Sequence, residues 1–223
     1  MRYRILAGIA ILLIFAAGIF GLSKRQSYTD LRHENHYLDQ LQVAELPERL
    51  TSMACQEMEK ELSSAAYIMC VQVLEDMEYL PGAGRMKVLV QEIYRGDGLR
   101  AGDKIYLTGQ CTLNVWGKVK SLECHFVNLP QPGHEYLVFA EERVDALNEA
   151  VPVYRLYFHS GSFVAPVFCY EDFPHTIVPT NGESTYVPYV EVGKNEFFSE
   201  TEDGFQMWSQ LKKQLIARYP YKK

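Results

Sequence analysis

The stretch Met86–Leu107, MKVLVQEIYRGDGLRAGDKIYL, decides how the fold is read. MKVLVQEIYRG has the apolar, β-branched character of a long strand, and KIYLTG reads as a second one. DGLRAGD between them is a loop, with Asp97-Gly98 and Gly102-Asp103 marking tight backbone turns. No side chain in the stretch suggests catalysis. Tyr94 and Tyr106 have the character of aromatic platforms, yet packing and cross-strand pairing account for them more simply.

Upstream, AAYIMCVQVLE is apolar almost throughout, the pattern of a strand buried on both faces. MEYLPGAGR joins it to the opening stretch through a turn containing Pro81, Gly82 and Gly84. Before it, Leu50, Met53, Ala54, Met58 and Leu62 form an apolar stripe at helical spacing. Pro47 suits a first helical position, which predicts a helix from Pro47 to Ser63.

Downstream, YLVFAEE and VYRLYFH read as two more strands. The intervening QCTLNVWGKVKSLECHFVNLPQPGHE is polar and irregular, with Trp116 as its large anchor. Residues 160–196 are expected to be extended, with short strands near Phe163–Val167 and Tyr186–Val190. Ser199 with Glu202 three residues later has the capping-box pattern. Phe205, Trp208, Leu211, Leu215 and Tyr219 then share one helical face, expected to pack on the chain's own sheet, and Pro220 ends the helix. The expected fold is mainly β: a small OB-like antiparallel β-barrel with flanking α-helices, preceded by one transmembrane helix.

That preceding helix comes from the first residues, MRYRILAGIAILLIFAAGIFGLSKRQ. No charge lies between Arg4 and Lys24, and a helix of that length spans roughly 28 Å, close to a bilayer hydrocarbon core. Ala16 and Gly18 are small enough for a signal-peptide cleavage site. Ile19, Phe20 and Leu22 continue the apolar run directly into Lys24 and Arg25, which favours a retained anchor. The domain reading is therefore an anchor over 1–23, a juxtamembrane segment over 24–46, and an extracytoplasmic barrel-like domain with a C-terminal helix over 47–223. The expected location is the cell membrane, as a single-pass protein. The charges flanking the span are nearly balanced, but a four-residue N-terminal tail and an acidic body fit a signal-anchor layout with the body outside the cytoplasm.

The formal net charge is −6 over 223 residues, and there is no basic run. That balance suits neither DNA nor RNA phosphates, so no nucleic-acid partner is expected. His33 and His36 share a helical face with Glu34 beside them, but no third ligand stands in register, and two solvated histidines are the simpler reading. The glycines of Gly82–Gly84 and Gly96–Gly98 lack the full phosphate-loop signature and lie between strands. No cofactor or metal is implied.

Five cysteines are present: Cys55, Cys70, Cys111, Cys124 and Cys169. Outside the cytoplasm, Cys111 and Cys124 are a candidate disulfide pair; the alternative is that each is a small buried hydrophobe. A thiolate beside His125 would instead make a nucleophile and base, the basis of an alternative reading as a thiol-dependent enzyme using Cys111 or Cys124 with His125. No recognised motif surrounds either cysteine, and the preferred reading is not an enzyme.

The order of signals resembles the netrin-like domain, the OB-type barrel shared with tissue inhibitors of metalloproteinases. In that family an A-x-x-I-V-x-x-x-V strand precedes a V-x-V-x-x-x-Y-K-G strand. A Gly-Asp turn, a strand, a Cys-bearing loop and a G-x-x-Y-L-V strand follow. The counterparts here are AAYIMCVQVLE, VLVQEIYRG, AGDKIYL, Gln110-Cys111 and GHEYLVFA, covering about residues 65–140. The resemblance implies a barrel that binds other proteins. The family's inhibitors chelate a catalytic zinc through a free N-terminal Cys, whereas Cys55 and Cys70 are internal here, so that inhibition does not carry over. The expectation is a membrane-anchored, non-enzymatic binding or structural module for a protein or cell-envelope ligand. Its partner-binding loop would lie within Thr108–Gln131 and include Trp116, Lys118 and Lys120.

Overall fold

The computed structural model describes residues 13–21, 37–80, 83–109, 111–114, 120–145, 150–157, 164–179 and 185–221. The chain divides into two units, Met1–Tyr37 and Leu38–Lys223.

In the first unit, residues 13–21 are helical. Leu13, Ile14, Phe15, Ile19 and Phe20 all stand in the open, each 64–70% exposed. The remainder of the expected span, and residues 24–36 of the juxtamembrane segment, lie outside the described residues. Among the described residues, no helix is long and apolar enough to cross a membrane.

The second unit runs β1 (Gln42–Ala44), α1 (Glu48–Glu61), β2 (Tyr67–Val73), β3 (Glu78–Leu80), β4 (Ala83–Arg95), β5 (Lys104–Thr108), β6 (Thr112–Asn114) and β7 (Ser121–Glu123). It continues with β8 (Glu135–Val144), β9 (Val153–Leu156), β10 (Val167–Cys169), β11 (Tyr186–Pro188), α2 (Tyr189–Val192) and α3 (Glu202–Arg218).

A closed five-stranded barrel is its centre. β2 pairs antiparallel with β4 and with β8, β4 with β5, and β8 with β9. A parallel pairing of β5 with β9 closes the ring. This order is compatible with an OB-like barrel. The sequence explains the strands. In β4, Met86, Val88 and Val90 are buried while Lys87, Leu89 and Gln91 are half-buried, an alternation of period two. β2 and the first part of β8 are buried on both faces, from Ile68 to Val71 and from Glu135 to Ala140. Two register shifts in the β2–β4 ladder, at Ile68/Met69 and Cys70/Val71, help the sheet curl. Gly96 (φ +123°) lets the chain leave β4 against the ring of Tyr67, where a Cβ would come within 2.3 Å of that ring.

The outer face of β2, β8 and β10 is covered by α1 and α3. Ala54, Met58 and Leu62 meet Trp208, Leu211 and Leu215 over Phe139, Phe168 and Phe197. The Trp208 indole is stacked between Phe168 and Phe197, with centroids 4.8 and 4.3 Å away. The terminal apolar stripe therefore packs on the chain's own sheet. Lys212 is buried beside it. Its ammonium donates to Glu196 Oε2 (2.6 Å) and to the Glu171 carbonyl (2.7 Å), and so ties α3 to the segments around β10.

Two local expectations are corrected. The N-cap of α3 is Thr201, whose hydroxyl oxygen accepts from the Gly204 N–H at 3.2 Å. Ser199 instead donates to the Thr201 carbonyl from a fully buried position. In α1 the buried face includes Thr51, and Met53 is 44% exposed. The Thr51 hydroxyl donates back to the Pro47 carbonyl (3.2 Å), so it packs without an unsatisfied polar group.

Candidate functional site

Part of the segment expected to be irregular forms a second sheet, in the order β11-β1-β7-β6. β7 lies parallel to β1 and antiparallel to β6. β1 comes from residues expected in the juxtamembrane segment, and there Leu41, Val43, Glu45 and Leu46 are all buried.

The β6–β7 register sets the site. Thr112 faces Glu123, Leu113 faces Leu122 and Asn114 faces Ser121. One step outward, Cys111 stands opposite Cys124. Both are buried free thiols, with Sγ atoms 3.2 Å apart. Burial pushes the Cys124 thiol well up, and contact with Cys111 adds to this.

His125 (φ 52°) and Phe126 (φ 61°) follow as two successive left-handed residues. The Val127 N–H closes the turn on the Cys124 carbonyl at 3.3 Å. Positive φ at both central positions is the signature of a type I′ turn, which favours Asn-Gly and strains larger residues. Three features hold it in place: the Ala165 N–H donates to the His125 carbonyl (3.0 Å), the Phe198 N–H donates to the Phe126 carbonyl (2.9 Å), and Val127 bridges to Phe197.

Beside the turn is a cleft of about 150 Å³, lined by Ala44, Leu122, Glu123, Cys124, His125, Phe126 and Phe198. Glu123 Oε1 accepts from the Ser121 hydroxyl (2.5 Å) and the Tyr186 hydroxyl (3.0 Å). Past β7, Asn128 is fully engaged. Its amide donates to the Gly193 (2.9 Å) and Asn195 (2.7 Å) carbonyls, and its oxygen accepts from the Leu129 N–H and the Tyr189 hydroxyl. These bonds fasten the segment after the turn to the end of α2.

Directly after β1, Glu45 is fully buried, and neither of its carboxyl oxygens has a hydrogen-bond partner among the described residues. Burial, and then the negative charge of Glu200, push its carboxyl up to about 7. Nothing in the local sequence distinguishes this glutamate from the other acids around it.

Of the residues singled out from sequence, Cys111, Cys124 and His125 are brought to one place. Lys120 is exposed, and its carbonyl accepts from the Gln42 N–H (3.0 Å) where β7 meets β1. Trp116 and Lys118, and likewise His33 and His36, lie outside the described residues. Tyr94 packs on Tyr219 (5.3 Å between centroids), and the Arg85 guanidinium lies 4.3 Å over the Tyr106 ring. Among the described residues, no group of three or more His, Cys, Asp or Glu is placed to hold a metal ion.

Comparison with protein-family models and with curated proteins finds no match for this chain.

Proposed function

We propose that the chain is a membrane-anchored, non-enzymatic extracytoplasmic module whose netrin-like, OB-type barrel carries a binding or structural surface for a protein or cell-envelope ligand. The observation that carries the reading is the closed barrel in the order β2-β4-β5-β9-β8. A filled barrel of this kind is a frame, and its inserted segments are the parts free to specialise. The insertion between β5 and β8 holds two strands of the second sheet, β6 and β7, and the strained turn. Residues 108–131, from the end of β5 into that insertion, are the surface proposed to meet the ligand.

The anchor rests on the uncharged run between Arg4 and Lys24 in the sequence, of which the structure describes a helix at 13–21, too short by itself to cross a bilayer. Leu13, Ile14 and Phe15 are consecutive, so at ~100° per residue they point three ways around the axis, and Ile19 and Phe20 widen the coverage. A helix without a polar face needs hydrocarbon around it.

The alternative, a thiol-dependent enzyme using Cys111 or Cys124 with His125, has a cleft lined by Cys124 and His125 in its favour. The chemistry weighs against it. A nucleophilic cysteine needs a depressed pKa and access, whereas Cys124 is buried and shifted up.

Carbonate washing of membranes tests the anchor, and protease accessibility in intact cells tests the side. The chain should stay with the membrane, and its body should be cleaved from outside. Mild cross-linking should then recover a partner that disappears when residues 112–120 are replaced by a Gly/Ser linker. A chain released by carbonate, or a partner indifferent to the replacement, would end the reading.

A further inference from the structure

We infer that Cys111 and Cys124 are joined by a disulfide in the mature protein, and that this bond is the covalent clasp of the β6–β7 hairpin beneath the His125–Phe126 turn. The register places the two residues directly opposite each other at the open end of an antiparallel ladder. Directly opposed residues in such a ladder have Cα atoms ~4.5–5.5 Å apart, inside the range a disulfide spans. The sulfurs already touch, at 3.2 Å, and both are buried.

The other cysteines offer no competing pair. Cys70 lies in β2 opposite Leu137, and Cys169 lies in β10 opposite Tyr136, on the two sides of β8. Two strand spacings separate them by roughly 9.5 Å, against a ceiling of ~7 Å for a bridge. Cys55 is half-exposed on α1, in the groove that α1 forms with α3, lined also by Ser52, Gln56 and Gln210. Five cysteines thus sort into one pair and three separate thiols.

The bond forms by thiol–disulfide exchange. Two S–H bonds break and one S–S bond forms. The two electrons and two protons pass to a disulfide oxidant, which leaves as two thiols. The inference relies on the extracytoplasmic reading for its oxidant, but not for its geometry. Cys124 directly precedes the two left-handed residues, so the clasp restrains one end of the turn and one wall of the cleft.

The test uses the full chain. Thiols are blocked with N-ethylmaleimide at cell lysis, and the denatured protein is then digested with trypsin without reductant. Cleavage after Lys118 and Lys120 separates the two cysteines in sequence. The Cys111 and Cys124 peptides should run as one linked species, two hydrogens lighter than their sum, while Cys55, Cys70 and Cys169 carry the block. Reduction should release the two peptides, and Cys111→Ser should abolish the linked species. If all five are blocked in cells, the bond is absent from the mature protein and the inference is overturned; if the purified native chain then forms this one bond with glutathione disulfide, the geometry was sufficient and it is the extracytoplasmic placement that failed. A bond in neither setting, or one between a different pair, overturns the pairing as well.

Discussion

Replacing Glu45 by Gln should make the protein more stable at neutral and alkaline pH while leaving it unchanged in acid. The carboxyl is fully buried, has no partner for either oxygen among the described residues, and faces the charge of Glu200. Its pKa is pushed up to about 7 from the ordinary 4.5, first by burial and then by that charge. Below pH 4.5 the folded and unfolded chains both hold the proton, and the two proteins should match. Between 4.5 and 7 the unfolded chain has released the proton and the folded chain has not. Stability therefore falls as pH rises, by about 1.4 kcal/mol per pH unit. The loss is complete above the folded pKa and amounts to about 3 kcal/mol by pH 8. Gln has the shape of the protonated acid and does not titrate, so E45Q should escape this loss. For a chain of this size, that raises the unfolding midpoint at pH 8 by roughly 6–12 °C. The assay is thermal or urea unfolding of the full chain in detergent from pH 4 to 9, followed by tryptophan fluorescence, since Trp208 is buried in the core. Glu200→Gln should recover a smaller part of the same loss. Parallel pH profiles for wild type and E45Q, or an E45Q protein weaker at pH 8, would refute the reasoning.

Trp208→Ala should cost about 3–5 kcal/mol, because it empties the slot between Phe168 and Phe197; equilibrium unfolding measures it. Lys212→Met leaves Glu196 buried without its cation and should cost about 3–5 kcal/mol, whereas pairing it with Glu196→Leu should recover much of that in a double-mutant cycle. Gly96→Ala should cost at least about 2 kcal/mol, since it combines a left-handed φ with a Cβ driven into the Tyr67 ring; Gly98→Ala, with open space around it, should cost less in the same assay.

The barrel was legible because its strands carry their own signals. The alternation in β4, the apolar runs of β2 and β8, and the Gly-Asp turn before β5 are all local. α1 and α3 were legible from their apolar spacing, though not to the residue. Thr51 took a buried place because its hydroxyl is satisfied within its own turn, and Thr201 capped α3 because its oxygen reaches the Gly204 N–H. β1, β6 and β7 were not legible. Each is three residues long, and the hairpin of β6 and β7 joins a sheet only through β1, distant in the chain, where Val43 aligns with Leu122. The cysteine pair could be named from position alone. The His125–Phe126 turn could not, since it contains neither Gly nor Asn, the residues that normally mark positive φ. Its conformation comes from what Ala165 and Phe198 hold in place.

The parentage of the small sheet governs when it can appear. Its four strands are drawn from residues 42–44, 112–114, 121–123 and 186–188. A growing or translocating polypeptide emerges in order, so the barrel strands up to Leu156 are available while the last ribbon, β11, is still unmade. Pairings that span most of the chain carry the greatest loop-closure cost and form late. The cleft beside the strained turn is thus a late product of biogenesis, and a truncated or stalled polypeptide would present a nearly finished barrel with its decorated face unassembled.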